Sequence, residues 1–492
     1  MDITLILPNF VIQAILNTKM IFNSFQFIWL FPLIFIIYWI CRRFDRSHFL
    51  LSKYVLLIIS YGLYLQWSVF FGLVLMFVSM TTYLGALAIS KKPQFRKTLI
   101  WGSVILTLLP LLTFKYFNFI TLSGASVLQW IGIDAAAPQF SWVVPLGLSF
   151  YTFQALGYLW DVYRKKISAE SNLLNYLLFV AFFPQILCGP ISKADSLLPQ
   201  LRNPRIFSYS QGVSGLKFIL WGLFLKVVVA DRLGLYVDTI YADYNIYSGT
   251  SSIIAAIFYS LQIYGDFSGY SFIAVGVARL LGIDLIINFR RPIFAQSVSD
   301  FWKRWNISLT KWLTDYIYIP LGGSRRGKLR TYLNIMITFL VSGIWHGANW
   351  TFIFWGILHG GCQVIEKALG INKLSSHGII RLLRTIAVFA IISIAWIFFR
   401  MPSISEANSL IAHMTEFGTP FIDSLIFGYA TIGISILLIV EFILEIKPKL
   451  YSKLSCGIGM IKAIRWSAYI TLLTLILLIG VLDSSQFIYV IF

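Results

Sequence analysis

Charge is scarce in this chain: Asp, Glu, Lys and Arg make up 12% of its 492 residues, about half the share of a soluble domain. Hydrophobic residues make up 58% and come in long runs, which excludes a soluble enzyme, a disordered chain and a fibrous protein. Cysteine is nearly absent. Cys41, Cys188, Cys362 and Cys456 lie far apart, with no CxxC pair and no histidine at metal-ligand spacing, so neither a secreted disulfide scaffold nor a zinc site is expected. Familiar soluble-enzyme signatures are missing too. There is no GxSxG elbow and no HExxH, and the turn at Pro320 to Gly323 lacks the Gly-Lys-Ser/Thr ending of a phosphate loop. No basic region precedes the first apolar stretch and no small-residue cleavage site follows it, so a removable signal peptide is not expected.

What remains is an all-α polytopic membrane protein. A hydrocarbon core about 30 Å thick needs roughly 20 apolar helical residues. Candidates cover Phe27 to Ile40, Phe49 to Trp67, Val69 to Ile89, Leu99 to Phe117, Trp142 to Trp160, Leu173 to Leu187, Gly215 to Ala230 and Ile253 to Leu281. More follow at Tyr332 to Trp345, Trp350 to Ile365, Leu382 to Phe399, Ser424 to Ile446 and Trp466 to Leu482. The net charge of +19 is expected to hold this topology in the bilayer, with no nucleic-acid partner. Basic clusters at Arg42 to Lys53, Lys91 to Lys97, Arg164 to Lys166 and Lys447 to Arg465 alternate with a nearly uncharged loop, Leu122 to Gln139. By the positive-inside rule both termini lie outside.

Alternation fails twice. Leu173 to Leu187 is short and flanked by basic residues on both sides, which fits a segment that enters and returns to one face. Asp284 to Arg330 interleaves Arg290, Arg291, Lys303, Arg304 and further cations with Phe289, Trp302, Trp305, Trp312 and Tyr316. That pattern suits either an interfacial belt or a vestibule wall buried in protein.

Among the five histidines, His48, His377 and His413 lie in or beside polar loops. His346 and His359 sit within Thr331 to Ile365, which carries no charged residue. A continuous helix from Arg330 raises His346 about 24 Å, most of the way across the core. Gly343, Gly347 and Asn349 surround it, so a helix break or close packing is expected there. A titratable group at that depth is a functional candidate, and imidazole moves protons near neutral pH. A neutral histidine bonded between helices is the structural alternative; for His359 the two readings weigh equally. Gln154, Gln185 and Asp266 are further polar groups at depth, Asp266 more naturally as the ion-pair partner of Arg290 or Arg291.

FWKRWNISLTKWLTDYIYIPLGGSRRG (Phe301 to Gly327) and SGIWHGANWTFIFWGILHG (Ser342 to Gly360) closely resemble the signature core of the membrane-bound O-acyltransferase (MBOAT) family. VPLGLSFYTFQALGYLWDVYR, FFPQILCGPI, LQIYGDFSGYS, NFRRPIFA and the closing QFIYVIF resemble its bacterial branch, typified by alginate O-acetyltransferases. The resemblance spans residues 20–492 as one transmembrane domain, with the signature core at about 142–366 and C-terminal helices over 382–492. Residues 1–19 read as an extension or a misassigned start.

The resemblance implies a ring of about 11–13 helices with re-entrant segments around a central catalytic tunnel. It implies acyl transfer to a hydroxyl, with His346 as general base and Asn306 as the second catalytic position. In this branch His is expected at that position, in RWHIS, and Asp is usual where Phe272 stands. Asn306 then serves to hydrogen-bond the substrate or oxyanion. His359, Asp266, Trp305, Arg304, Arg290, Arg291 and Gln154 are the expected substrate-binding residues. No cofactor or metal is expected to be bound. The implied donor is acetyl-CoA, whose phosphates the arginines would attract, and the implied acceptor is an extracytoplasmic polysaccharide or a periplasmic SGNH-type partner. The implied location is the bacterial inner membrane. A transporter or flippase, and an inactive scaffold of an export complex, remain the competing readings; the shorter teichoic acid D-alanylating branch fits less well.

Overall fold

A chain crossing hydrocarbon must satisfy its own N–H and C=O groups, and helices do so locally. The computed structural model describes residues 25–45, 50–186, 189–203, 205–371, 378–447 and 460–481, and their regular structure is helical throughout. His48, His377, residues 1–19 and the closing motif lie outside those residues. Six described helices are long and apolar enough to cross a membrane, among them Val69–Lys91, Pro93–Trp130 and Tyr209–Ala242.

The N-terminal sector contains α1 (Phe25–Phe44), α2 (Leu50–Leu65), α3 (Val69–Lys91), α4 (Pro93–Trp130), α5 (Leu148–Tyr163) and α6 (Leu173–Ala181). Helix α4 outruns its expected end at Phe117, and a π turn interrupts it at Leu112–Tyr116. Helix α5 starts at Leu148, later than the expected Trp142, because Gly147 turns the chain with φ +72°. A side chain there is excluded twice over, since its Cβ would lie 2.3 Å from the Ile186 carbonyl oxygen. The short segment after α5 breaks at Phe182 and resumes as α7 (Phe183–Ile186).

Helices α8 (Ala194–Arg202), α9 (Tyr209–Ala242) and α10 (Gly249–Leu280) form the centre. Close backbone approach of α9 and α10 is set by glycines seven residues apart on each helix. A Cβ on Gly215 or Gly222 would lie 2.7 or 2.6 Å from the carbonyl oxygens of Gly276 and Gly269, and the reverse contacts are equally tight. Small residues that let helix backbones touch drive association in lipid, where hydrophobic burial gives no gain. This pairing also corrects the expected partner of Asp266. Its carboxylate meets Lys226 at 2.7 Å, not Arg290 or Arg291, and Lys226 also bonds Asp231 at 2.8 Å. Lys226 lies in a second π turn, Phe224–Ala230.

The signature region follows. Short helices α11 (Val298–Arg304) and α12 (Ile307–Leu313), the latter continued by a π turn at Thr314–Tyr318, lead to α13 (Lys328–His346) and α14 (Trp350–Ala368). Then come α15 (Gly378–Arg400), α16 (Ile404–His413), α17 (Ser424–Ile446) and α18 (Met460–Ile479). Helices α17 and α18 pack on the π turn of α9, where the Val481 N–H bonds the Val227 carbonyl at 3.0 Å. Of the two readings of the aromatic-basic stretch, the buried wall holds. Phe289, Phe301, Trp302, Trp305, Trp312 and Tyr316 face inward, while Arg290, Lys303 and Lys311 are exposed.

Candidate active site

His346 is the last residue of α13. The expected glycine break and the expected close packing both occur there. The chain leaves the helix at Gly347 in an extended conformation, and a Cβ on Gly347 would strike the Phe352 ring at 2.0 Å. A Cβ on Gly343 would lie 2.3 Å from the Phe352 carbonyl oxygen, and one on Gly356 would lie 2.5 Å from that of Phe339, so α13 and α14 cross backbone to backbone. The imidazole is 3% exposed and packs edge-on against Trp345, Trp355 and Phe399, with ring centroids 4.8 to 5.2 Å away.

Asn306 lies between α11 and α12 in the left-handed region, with φ 40° and ψ 56°. Two backbone bonds on either side hold it there: Arg290 N–H to Arg304 O and Ile307 N–H to Asn288 O, both at 2.9 Å. The Asn288 side chain adds a third, accepting from Ser308 N–H at 2.9 Å. Asn306 is 1% exposed, and neither its amide nitrogen nor its oxygen has a hydrogen-bond partner among the described residues. A buried, unbonded amide costs about 1–3 kcal/mol, which makes Asn306 a candidate for binding a ligand group.

The same elements line a cavity of about 480 Å³, through Ser299, Trp302, Lys303, Thr310, Thr314, Tyr318, Phe339, Ser342 and Lys367, among others; His346 and Asn306 are not among its lining residues. Glu366 of α14 caps α11, accepting from the backbone N–H groups of Val298 and Ser299, and so fixes the start of the helix that carries Trp302 and Lys303. His359 is buried behind this wall, against Trp302. Its Nδ1 accepts from Trp302 Nε1 at 3.3 Å, which leaves the ring proton on Nε2. Both histidines flank one indole, with Trp355 4.6 Å from His359 and 5.0 Å from His346 between ring centroids.

The remaining expected residues act differently from one another. Trp305 is buried, stacked on Phe301 and tilted against Trp396. Gln154 works inside the protein: it donates to the Phe179 carbonyl and accepts from Gln185 Nε2 and Ser192 N–H, pinning the broken segment after α6. Arg291 and Arg304 both bind Glu445 of α17, at 2.8 and 3.0 Å, and Arg381 joins them at 3.3 Å. Arg290 stays exposed. The sequence reading missed Glu445, Lys226 and Lys115. A lone charge inside an apolar run was the available signal for the two lysines.

A family model for the membrane-bound O-acyltransferase family matches residues 163–372. A probable alginate O-acetylase of Pseudomonas syringae pv. tomato is 36% identical over 406 residues, covering 81% of this chain and 76% of the relative. The chain belongs to the membrane-bound O-acyltransferase family. A peptidoglycan O-acetyltransferase of Helicobacter pylori is 32% identical over 427 residues, 80% of each chain. A teichoic acid D-alanyltransferase of Streptococcus thermophilus, 31% identical, covers only 45% of this O-acyltransferase and 57% of itself. Membership makes the protein a multi-pass membrane enzyme that transfers acyl groups to oxygen, which sets the transporter reading aside.

Proposed function

We propose that this enzyme moves an acetyl group from cytoplasmic acetyl-CoA to a hydroxyl outside the bacterial inner membrane, on an envelope polysaccharide or on a periplasmic SGNH-type partner that passes it on. The observation that supports this reading best is a pair of helical registers. Ser342 and Thr310 line the cavity, and His346 and Asn306 stand four residues from them along α13 and α12. Four residues are one helical turn, about 6 Å. Each element thus leads in about one turn from a cavity-lining residue to one of the two groups.

The chemistry follows from the side chains. His346 accepts the proton of the acceptor hydroxyl as its oxygen attacks the thioester carbonyl. The C–O bond forms, the C–S bond breaks, and the proton passes to the departing coenzyme A sulfur. The Asn306 amide, otherwise unbonded, donates to the carbonyl oxygen as negative charge builds there. Lys303 and Lys367 at the cavity, with exposed Arg290, Arg325 and Arg326, supply positive charge for the phosphates of the donor. Two relatives matched over about four fifths of the chain are named for O-acetylation, of alginate and of peptidoglycan, which favours an acetyl donor and a glycan acceptor.

His346→Ala, at matched membrane levels, is expected to lower transfer of radiolabelled acetyl groups into envelope polymer at least about 100-fold. Transfer at the unchanged rate would overturn the assignment.

A further inference from the structure

A helix ends with four carbonyls that no intrahelical N–H can reach. On α13 these belong to Gly343, Ile344, Trp345 and His346. Gly347 N–H bonds the first at 3.4 Å. The other three are taken by two adjacent side chains of the α4 π turn. Tyr116 Oη donates to Ile344 O at 2.6 Å, and Lys115 Nζ donates to Trp345 O at 2.9 Å and to His346 O at 2.7 Å. Gly347 does not adopt the left-handed cap that commonly closes a helix, since its φ is −164°. The closure comes from α4 instead.

Lys115 is an expensive way to make it. The residue lies inside an apolar run, and among the described residues no carboxylate comes within ion-pair distance of its ammonium. A charge at such depth is retained for what it does. What this one does is hold the backbone of His346, where a cation also suits the negative end of the helix dipole. The π turn makes it possible. One extra residue in the turn brings Lys115 and Tyr116 together onto the end of α13. Lys115 lies outside the residues that the family model matches.

We propose that Lys115 is a positioning residue for acyl transfer, fixing the Trp345 and His346 carbonyls and through them the aim of the imidazole. This rests on His346 being the base. A displacement of about 1 Å in a catalytic group costs up to about 100-fold in rate, so the effect belongs in kcat.

The test uses the full chain in membranes, with radiolabelled acetyl-CoA as donor and the cell's own envelope polymer as acceptor, at rates normalised to folded enzyme. Lys115→Met is expected to lower kcat at least about tenfold with the KM for acetyl-CoA unchanged, and Lys115→Arg, which reaches the same carbonyls, to recover most of it. Lys115→Met at the wild-type kcat overturns the proposal. Should the Met variant fail to accumulate, Lys115→Arg decides. A rate within about threefold of wild type supports the proposal, and a folded but slower enzyme overturns it. His346→Ala runs alongside. Full activity there removes the reading of His346 itself, whereas an inactive His346→Ala beside a fully active Lys115→Met removes only the role of Lys115.

Discussion

Asn306 combines two properties that a substitution can separate: a left-handed backbone and an unbonded amide. Asparagine and histidine both enter that backbone region more readily than most side chains. The backbone conformation therefore accommodates either Asn or the His that the resemblance leads one to expect there. Asn306→Gly keeps the backbone and removes the amide. Asn306→Ala removes the amide and adds a conformational cost of about 1 kcal/mol. If the amide serves the oxyanion, both variants lose kcat by about 100-fold, and only Ala also melts earlier. A Gly variant with wild-type kcat would mean that the position works through its backbone alone.

Helices α13 and α14 meet through glycine, and that contact sets where His346 stands. Gly343→Ala places a methyl group 2.3 Å from a backbone oxygen that cannot swing aside. The expected result is a loss of about 1–3 kcal/mol, read as a lower Tm of the detergent-purified enzyme. Gly361→Ala, whose added Cβ meets nothing within 4 Å, is the control and should melt like wild type.

Much at this scale was readable in the sequence. A charge-free stretch holding His346, with Gly343 and Gly347 beside it, already implied a helix with a break or close packing. The expected spans Tyr332 to Trp345 and Trp350 to Ile365 fall within the observed helices. The π turns were not readable. An extra residue inside an apolar run leaves the hydrophobic pattern unchanged, yet it re-aims every side chain near it. Each π turn carries one charged residue bound to another element: Lys115 to α13, Lys226 to α10 and Asp315 to Lys193. Asn306 was readable only through the family motif, since no spacing rule marks an Asn in the left-handed region.

Across the whole molecule, the positive excess divides into bound and unbound charge. Glu445 brings Arg291, Arg304 and Arg381 together, tying α17 and α15 to the signature segment. Removing its charge leaves three guanidinium groups crowded around one site, with only Arg304 still paired among the described residues, to Asp300 at 2.9 Å. Glu445→Gln is expected to destabilise the enzyme by about 2 kcal/mol, seen as a lower Tm that high salt partly restores. A variant as stable as wild type at low salt would mean that the cluster contributes nothing. Lys303, Lys311, Arg325 and Arg326 remain exposed, and sequence alone could not sort one group from the other because the sorting residue lies far along the chain.

His346 packs among Trp345, Trp355 and Phe399, and Trp302 and Trp396 pack on Trp355 in turn, none of them more than 5% exposed. An energised membrane loses its proton gradient through any continuous file of water. A passage open at once to donor and acceptor would be such a file. On the proposed two-sided reading, these packed rings would interrupt such a file and keep the bilayer electrically tight.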